Sequence, residues 1–166
     1  MSTTSIDVFN LAKTSGEFKG ELPIDQLNRL RGDLTDTSGA LVYRVSGETN
    51  AQKHPLLHIE IQGELQMTCQ RCLEALQHTV NVDNTLHLVA SEADLDSEED
   101  ELNAIIAGSD TPEKIVGSTD FDILDLLEDE VILSLPLTLV HDVCPTQLPT
   151  SSGQKASVFD ILAKLK

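Results

Sequence analysis

The stretch Leu57–Met67, with the sequence LHIEIQGELQM, alternates apolar and polar residues almost without interruption. Successive side chains of a β-strand point to opposite faces of the sheet, so this period of two predicts a strand with one buried and one wet face. Leu41–Ser46 shows the same alternation, and Gly47–Lys53 would be the hairpin loop between the two strands. Leu76–Val89 continues the pattern, with a break at Asn84 that predicts a β-bulge. The three segments together predict an antiparallel meander.

A long amphipathic helix is predicted after the meander. Asp120 is a suitable N-cap, the helix would run from Phe121 to about Leu135, and Pro136 would end it. Its apolar stripe consists of Phe121, Leu124, Leu127, Val131, Ile132 and Leu135. Further apolar residues lie off this stripe and indicate burial on more than one side: Ile123, Leu126 and Leu133.

Shorter elements complete the predicted fold. We expect strands at Glu17–Leu22 and Lys114–Gly117, a helical turn at Phe9–Lys13, and a short helix from Pro23 to Leu30. The predicted fold class is therefore α+β: an antiparallel β-meander of about four to six strands, packed with one long and two or three short helices.

The domain organisation follows from composition. Residues 1–140 are expected to form a single α+β domain, interrupted at about residues 91–111 by a mobile loop rich in Asp and Glu. Residues 141–156, rich in Pro, Ser and Thr, are typical of a flexible linker. Residues 157–166 place apolar side chains on one helical face and predict a short C-terminal helix.

The charge is strongly negative and unevenly distributed. The formal net charge is −17; residues 1–90 carry 11 acidic and 7 basic side chains, and residues 91–166 carry 17 and 4. Nucleic-acid affinity depends largely on basic side chains that neutralise phosphates, so this balance favours a basic protein partner over bare RNA. The alternative is that the acidity only maintains solubility. Nothing resembles a signal peptide or a membrane span, and we expect a cytoplasmic protein that contacts no membrane.

Cys69 and Cys72, in Cys69-Gln70-Arg71-Cys72, lie between two predicted antiparallel strands. A tight turn there can direct two thiolates at one metal, as in a zinc knuckle, and His141 and Cys144 could complete a Zn²⁺ site. A thioredoxin-type pair would instead open a helix in a βαβ unit, and that context is missing. The alternative is a pair of reduced turn thiols with no metal, and Cys144 unrelated to them.

Charged side chains supply the candidates for partner binding. Arg71 and Glu74 would stand at the tip of the turn, where Arg71 could reach a phosphate or carboxylate; solvated turn charges are the alternative. Glu128 falls within the apolar arc of the long helix and needs a partner there. A structural ion pair to Arg29, Arg31 or Arg44 is favoured over a catalytic role, and the same three arginines are candidates for RNA contact.

Several motifs occur in a defined order. They are Phe9-Asn10-Leu11-Ala12, Gly20-Glu21-Leu22, Leu27–Leu30, Gly63-Glu64-Leu65, Cys69–Leu73, Phe121–Glu130, Leu135-Pro136, Val140-His141-Asp142 and Phe159–Leu165. In this order the chain resembles the large ribosomal RNA subunit accumulation protein family, the YceD-like proteins of bacteria and plastids. Some relatives carry extra cysteines after the Leu-Pro segment, where this chain has Cys144 alone.

The resemblance implies a role in the synthesis, processing or stability of 23S rRNA during biogenesis of the large ribosomal subunit. It supplies no catalytic residues, so we expect a non-enzymatic factor without a small-molecule substrate. Its partner would be a ribosomal protein or assembly factor, or the 23S rRNA precursor. Two alternatives stay open: a zinc-binding or redox Cys-x-x-Cys module, and a ribonuclease that uses Mg²⁺ and helix carboxylates.

Overall fold

The computed structural model describes residues 5–95 and 112–146. Most of the predicted acidic loop, the predicted linker from residue 147 onward and the predicted C-terminal helix lie outside these ranges. The strands are β1 (Ser5–Ile6), β2 (Glu17–Pro23), β3 (Leu34–Asp36), β4 (Ala40–Thr49), β5 (Pro55–Thr68), β6 (Ala75–Val89), β7 (Glu113–Val116) and β8 (Phe121–Asp122). The helices are α1 (Val8–Thr14) and α2 (Ile123–Ser134), with single 3₁₀ turns at Ile24–Gln26 and Glu92–Asp94.

The predicted meander is confirmed and forms the centre of a six-stranded sheet. The antiparallel neighbours in the sheet follow the order β2, β4, β5, β6. β3 pairs with the C-terminal end of β5, where Leu34 lies opposite Met67. β7 continues the sheet beyond β6, but it runs parallel to β6. β1 and β8 make a separate two-stranded ladder. The α+β fold class is therefore confirmed.

Two local predictions in the meander are wrong. The hairpin loop is shorter than expected, because β4 extends to Thr49 and Asn50 accepts from the backbone N–H groups of Gln52 and His54 through its side chain. No bulge forms at Asn84, since the register between β5 and β6 runs unbroken from Leu56↔His87 to Thr68↔Ala75. Asn84 breaks the apolar pattern because its amide meets a buried carboxylate of α2.

The long helix begins two residues later than predicted. Asp122, not Asp120, is the N-cap: its carboxylate accepts the backbone N–H groups of Leu124 and Asp125. Phe121 is drawn into the β1–β8 ladder instead of the helix. The buried residues of α2 are Ile123, Leu126, Leu127, Glu128, Glu130 and Val131. The predicted stripe is thus only partly correct, and Leu133 is exposed.

The helix predicted from Pro23 to Leu30 shrinks to one 3₁₀ turn. Pro23 still pairs with Ala40 in the sheet, and Leu27 has ψ 76°, which is outside the helical region. This irregular path keeps both Leu27 and Leu30 buried. Burial of these two leucines, rather than helical propensity, determines the conformation.

The hydrophobic core lies between the sheet and the two helices. It includes Val8 and Ala12 of α1, Leu57, Ile59 and Ile61 of β5, and Ile123, Leu127 and Val131 of α2. α1 lies directly on β4 at Gly47, where a Cβ would stand 2.5 Å from backbone atoms of Leu11 and Ala12. Within the described ranges, no helix is long and apolar enough to cross a membrane.

Candidate functional site

The Cys-Gln-Arg-Cys element forms the turn between β5 and β6, as predicted. The Cys69 backbone N–H donates to the Glu74 carbonyl (2.9 Å), and the Leu73 N–H donates to the Cys69 carbonyl (2.9 Å). Leu73 has φ 63°, in the left-handed region that a tight turn requires. Both cysteine side chains point inward and are buried, while Leu73 is exposed. The turn therefore presents two thiols on one side.

A second segment reaches this turn from the end of α2. After Pro136 the chain runs beside the turn, and the Gln70 backbone N–H donates to the Leu139 carbonyl (2.8 Å). Leu139 is buried. This contact brings His141 and Cys144 next to Cys69 and Cys72, which are distant in sequence.

All four predicted metal ligands converge. Their ligand atoms lie within 4.8 Å of one another. The Sγ atoms of Cys69 and Cys144 are 4.0 Å apart, and the Cys72 Sγ lies 3.4 Å from the His141 Nδ1. A tetrahedral Zn²⁺ with ordinary bond lengths would separate two sulfurs by about 3.8 Å and a sulfur from a nitrogen by about 3.6 Å. This Cys₃His cluster therefore has dimensions that could accept a metal ion.

The orientation of His141 is fixed by its other ring nitrogen. Its Nε2 lies 3.0 Å from the Ala75 carbonyl oxygen, a pure acceptor, so Nε2 carries the proton. Nδ1 then presents a lone pair to the thiols. Metal-binding histidines commonly donate their second N–H to a carbonyl in this way. The Ala75 carbonyl was not identified from the sequence, because its role depends on a contact with a residue that lies 66 positions away.

The thiols have different acidities. Burial raises the pKa of Cys69, but the backbone N–H groups of Cys72, His141 and Arg71 point at its sulfur and bring the pKa down to about 5. Burial raises the pKa of Cys72, and the neighbouring sulfurs of Cys69 and Cys144 raise it further. The backbone N–H of Glu74 acts in the opposite direction, but the pKa of Cys72 stays above its usual value. The fold thus stabilises a thiolate at Cys69, the form that binds metals.

The charged residues near the turn keep exposed positions. Arg71 is exposed, with its Nη1 4.0 Å from the Cys144 sulfur. Glu74 accepts from the Thr146 hydroxyl (3.2 Å). Arg31 and Arg44 lie elsewhere: Arg31 donates to the Asp25 carbonyl, and Arg44 pairs with the carboxylates of Glu17 and Glu60 on the sheet.

Glu128 has the structural ion pair that was predicted for it, and its partner is Arg29. The carboxylate accepts the Arg29 backbone N–H (2.7 Å) and Nε–H (3.1 Å). The same guanidinium contacts Asp125 and Asp129. These contacts raise the pKa of Arg29, chiefly through Asp129 and then Glu128. Three helix carboxylates are therefore occupied by one arginine.

The sequence pattern does not single out Glu130, the second buried carboxylate of α2. Glu130 is buried and accepts from the Asn84 amide (3.0 Å). Burial raises its pKa, and the Asn84 hydrogen bond offsets this only in part. The break in alternation at Asn84 is the sequence signal for this contact. A strand pattern, however, does not reveal which residue of a helix will face Asn84.

Comparisons with known proteins agree with the resemblance. No solved structure matches this chain significantly. A protein of Haemophilus influenzae named Large ribosomal RNA subunit accumulation protein YceD is 25% identical over 172 residues, which cover 98% of this chain and 94% of that protein. The sequence profile described as Large ribosomal RNA subunit accumulation protein YceD matches residues 57–166, about two thirds of the chain. The chain therefore belongs to the YceD family of large ribosomal RNA subunit accumulation proteins.

Proposed function

We propose that this protein is a cytoplasmic, non-enzymatic factor that supports the synthesis, processing or stability of 23S rRNA during biogenesis of the large ribosomal subunit. Membership of the YceD family is the observation that carries the proposal. The family name speaks of accumulation of the large-subunit RNA, which is a result that binding alone can produce.

The partner we propose is a basic ribosomal protein or assembly factor. A net charge of −17 repels the RNA phosphates and attracts a basic surface, and it speeds the encounter by electrostatic steering. Any direct RNA contact would fall to Arg71 or Arg31, because these exposed arginines have no carboxylate partner in the described contacts. Arg29 and Arg44 are held by carboxylates instead.

The structure offers little support for the ribonuclease alternative. Nuclease sites of that kind keep carboxylates available for Mg²⁺. Here the carboxylates of Asp125, Glu128 and Asp129 surround the Arg29 guanidinium, whose positive charge opposes a cation at the same position. We expect purified protein to leave precursor rRNA intact in the presence of Mg²⁺, and Mg²⁺-dependent cleavage that co-purifies with the protein would contradict this.

Affinity purification from cells, with and without RNase, tests the proposal. We expect large-subunit proteins or precursors to be recovered, and we expect the direct partner to remain after RNase treatment. Deletion of the gene should lower 23S rRNA relative to 16S rRNA, and the wild-type chain should restore the ratio. An unchanged ratio together with no sedimentation alongside large-subunit precursors would refute the proposal.

The second candidate function is that of a metal-binding module, and the Cys₃His cluster favours it. The redox alternative needs two thiols that exchange electrons with a partner. Here a third thiol and an oriented imidazole share the space of the Cys-x-x-Cys pair, a donor set typical of structural zinc sites. Elemental analysis of protein purified under reducing conditions should find about one equivalent of zinc. Zinc far below one equivalent would remove this candidate.

A further inference from the structure

The segment 136–146, which follows α2, has little packing to hold it. Within these described residues Leu139 is the one buried side chain, while Leu137 and Val143 are 101% and 86% exposed. Burial of apolar area is the main force that fixes a chain segment, and this segment contributes little of it. Its ordered path beside the turn needs another cause.

Apart from the contacts that involve the three sulfurs, three hydrogen bonds join the segment to the turn. They are Gln70 N–H to the Leu139 carbonyl, His141 Nε2–H to the Ala75 carbonyl, and the Thr146 hydroxyl to Glu74, and the last two are exposed to water. Hydrogen bonds that exchange with water stabilise a structure only modestly. These contacts set the register of the segment on the turn, but they are weak support for eleven residues of irregular chain.

The four ligand atoms stand at the point where the segment meets the turn. Two come from the turn (Cys69 and Cys72) and two come from the segment (His141 and Cys144), so any ion held by all four joins the two pieces of chain. Building on the metal-binding candidate above, we infer that Zn²⁺ bound by Cys69, Cys72, Cys144 and His141 Nδ1 is a clasp that fixes the segment 136–146 to the end of the β5–β6 hairpin.

Binding replaces the Zn–water bonds of the hydrated ion by three Zn–S bonds and one Zn–N bond, and each thiol that is still protonated gives its proton to solvent. The sulfurs of Cys69, Cys72 and Cys144 then share one divalent cation.

Hydrogen exchange measured by mass spectrometry tests the clasp on the full-length protein, with zinc and after chelation. We expect zinc to slow the exchange of residues 137–146 and of the Gln70 amide by at least about tenfold, and to leave β4 and the centre of β5 unchanged. Cys144→Ser and His141→Ala should exchange like the chelated protein and retain little zinc. The matched control is His78→Ala, a change on β6 outside the cluster, which should behave as the wild type does.

The outcomes separate the clasp from the functions proposed above. One equivalent of zinc with unchanged exchange at residues 137–146 would overturn the clasp and keep the metal site. Faster hydrogen exchange throughout β4 and β5 after chelation would also overturn the clasp, because the metal would then be required for the whole fold. Failure to load zinc at all would remove both the site and the clasp, whereas the role in 23S rRNA is judged by the 23S/16S ratio alone.

Discussion

Replacement of Glu128 by Gln should destabilise the protein markedly, although the two side chains have the same shape. The Glu128 side chain is 10% exposed and accepts two hydrogen bonds from Arg29, at 2.7 Å and 3.1 Å. A glutamine keeps one oxygen for the Arg29 backbone N–H. Its NH₂ group would face the Nε–H of the guanidinium, so two donors would meet where a donor and a charged acceptor met before.

The magnitude follows from the kind of hydrogen bond that is lost. A hydrogen bond to a charged group contributes about 1.5–3 kcal/mol, and the half-exposed Arg29 places this one toward the lower part of that range. We expect the free energy of unfolding to fall by about 2 kcal/mol. For a chain of this length, that loss lowers Tm by about 4–8 °C.

Urea denaturation of Glu128→Gln, Arg29→Met and the double variant measures the pair directly. The double-mutant cycle should give a coupling energy of about 1–2 kcal/mol. Glu64→Gln, an exposed change on β5, is the control and should stay within about 0.5 kcal/mol of the wild type. A Glu128→Gln protein as stable as the control, with no coupling to Arg29, would show that the ion pair does not hold α2 to the loop before β3.

Three further predictions concern other parts of the molecule. Glu130→Gln should raise the free energy of unfolding at pH 7 by about 1 kcal/mol in urea denaturation, because it removes a buried charge and keeps an acceptor for Asn84. Since burial raises the Glu130 pKa, the wild type regains stability as the pH falls through that pKa. The difference in free energy of unfolding between the two proteins should therefore narrow at acidic pH, and a difference that widens there would contradict this prediction. Gly47→Ala should cost about 3 kcal/mol by the same method, because its Cβ would lie 2.5 Å from backbone atoms of α1 that cannot move independently; a loss below about 0.5 kcal/mol would mean that the helix shifts freely. Arg71→Glu should reduce recovery of large-subunit precursors in affinity purification several-fold without changing Tm, because this exposed guanidinium is the group available for RNA contact at the turn. The control Lys53→Glu reverses an exposed charge in the loop between β4 and β5, and equal losses in both variants would point to net charge rather than to the turn.

The central sheet could be predicted because its signal is local. Apolar and polar residues alternate along β4, β5 and β6, and short loops join them, so neighbouring residues in sequence already specify the strand pairing. The parallel pairing of β7 with β6 could not be read in the same way. It depends on where the chain returns after residues 91–111, and four residues from Glu113 to Val116 carry no direction signal.

The start of α2 shows how a distant contact decides between equal local choices. Asp120 and Asp122 are both suitable caps. The pairing of Ser5–Ile6 with Phe121–Asp122 holds the chain extended through Phe121, so the helix begins after Asp122. The Ser5 hydroxyl also bonds Asp120 and occupies its carboxylate. The helix propensity of the residues around Asp120 carries no information about Ser5, which lies 115 positions earlier in the sequence.

The site was predictable in its chemistry and not in its assembly. A Cys-x-x-Cys turn between strands suggests metal ligands, and the residue types of His141 and Cys144 qualify them as the other two. Their convergence depends on the exit of the chain from α2 and on the contact of Leu139 with Gln70. The occupation of Arg29 by three carboxylates likewise required the fold, since the arginine lies about 100 residues from its partners.

The uninterrupted pairing of β5 with β6 has a mechanical consequence. Thirteen successive residue pairs, from Leu56↔His87 to Thr68↔Ala75, extend about 40 Å along the strands. Because no bulge interrupts them, this hairpin resists bending along its length better than a ladder with a bulge would. A force applied at the cysteine turn would thus rotate the hairpin as a rigid body and move the opposite end of the sheet. The cysteine turn therefore stays at a fixed distance from the opposite end of the sheet, where Leu56 pairs with His87.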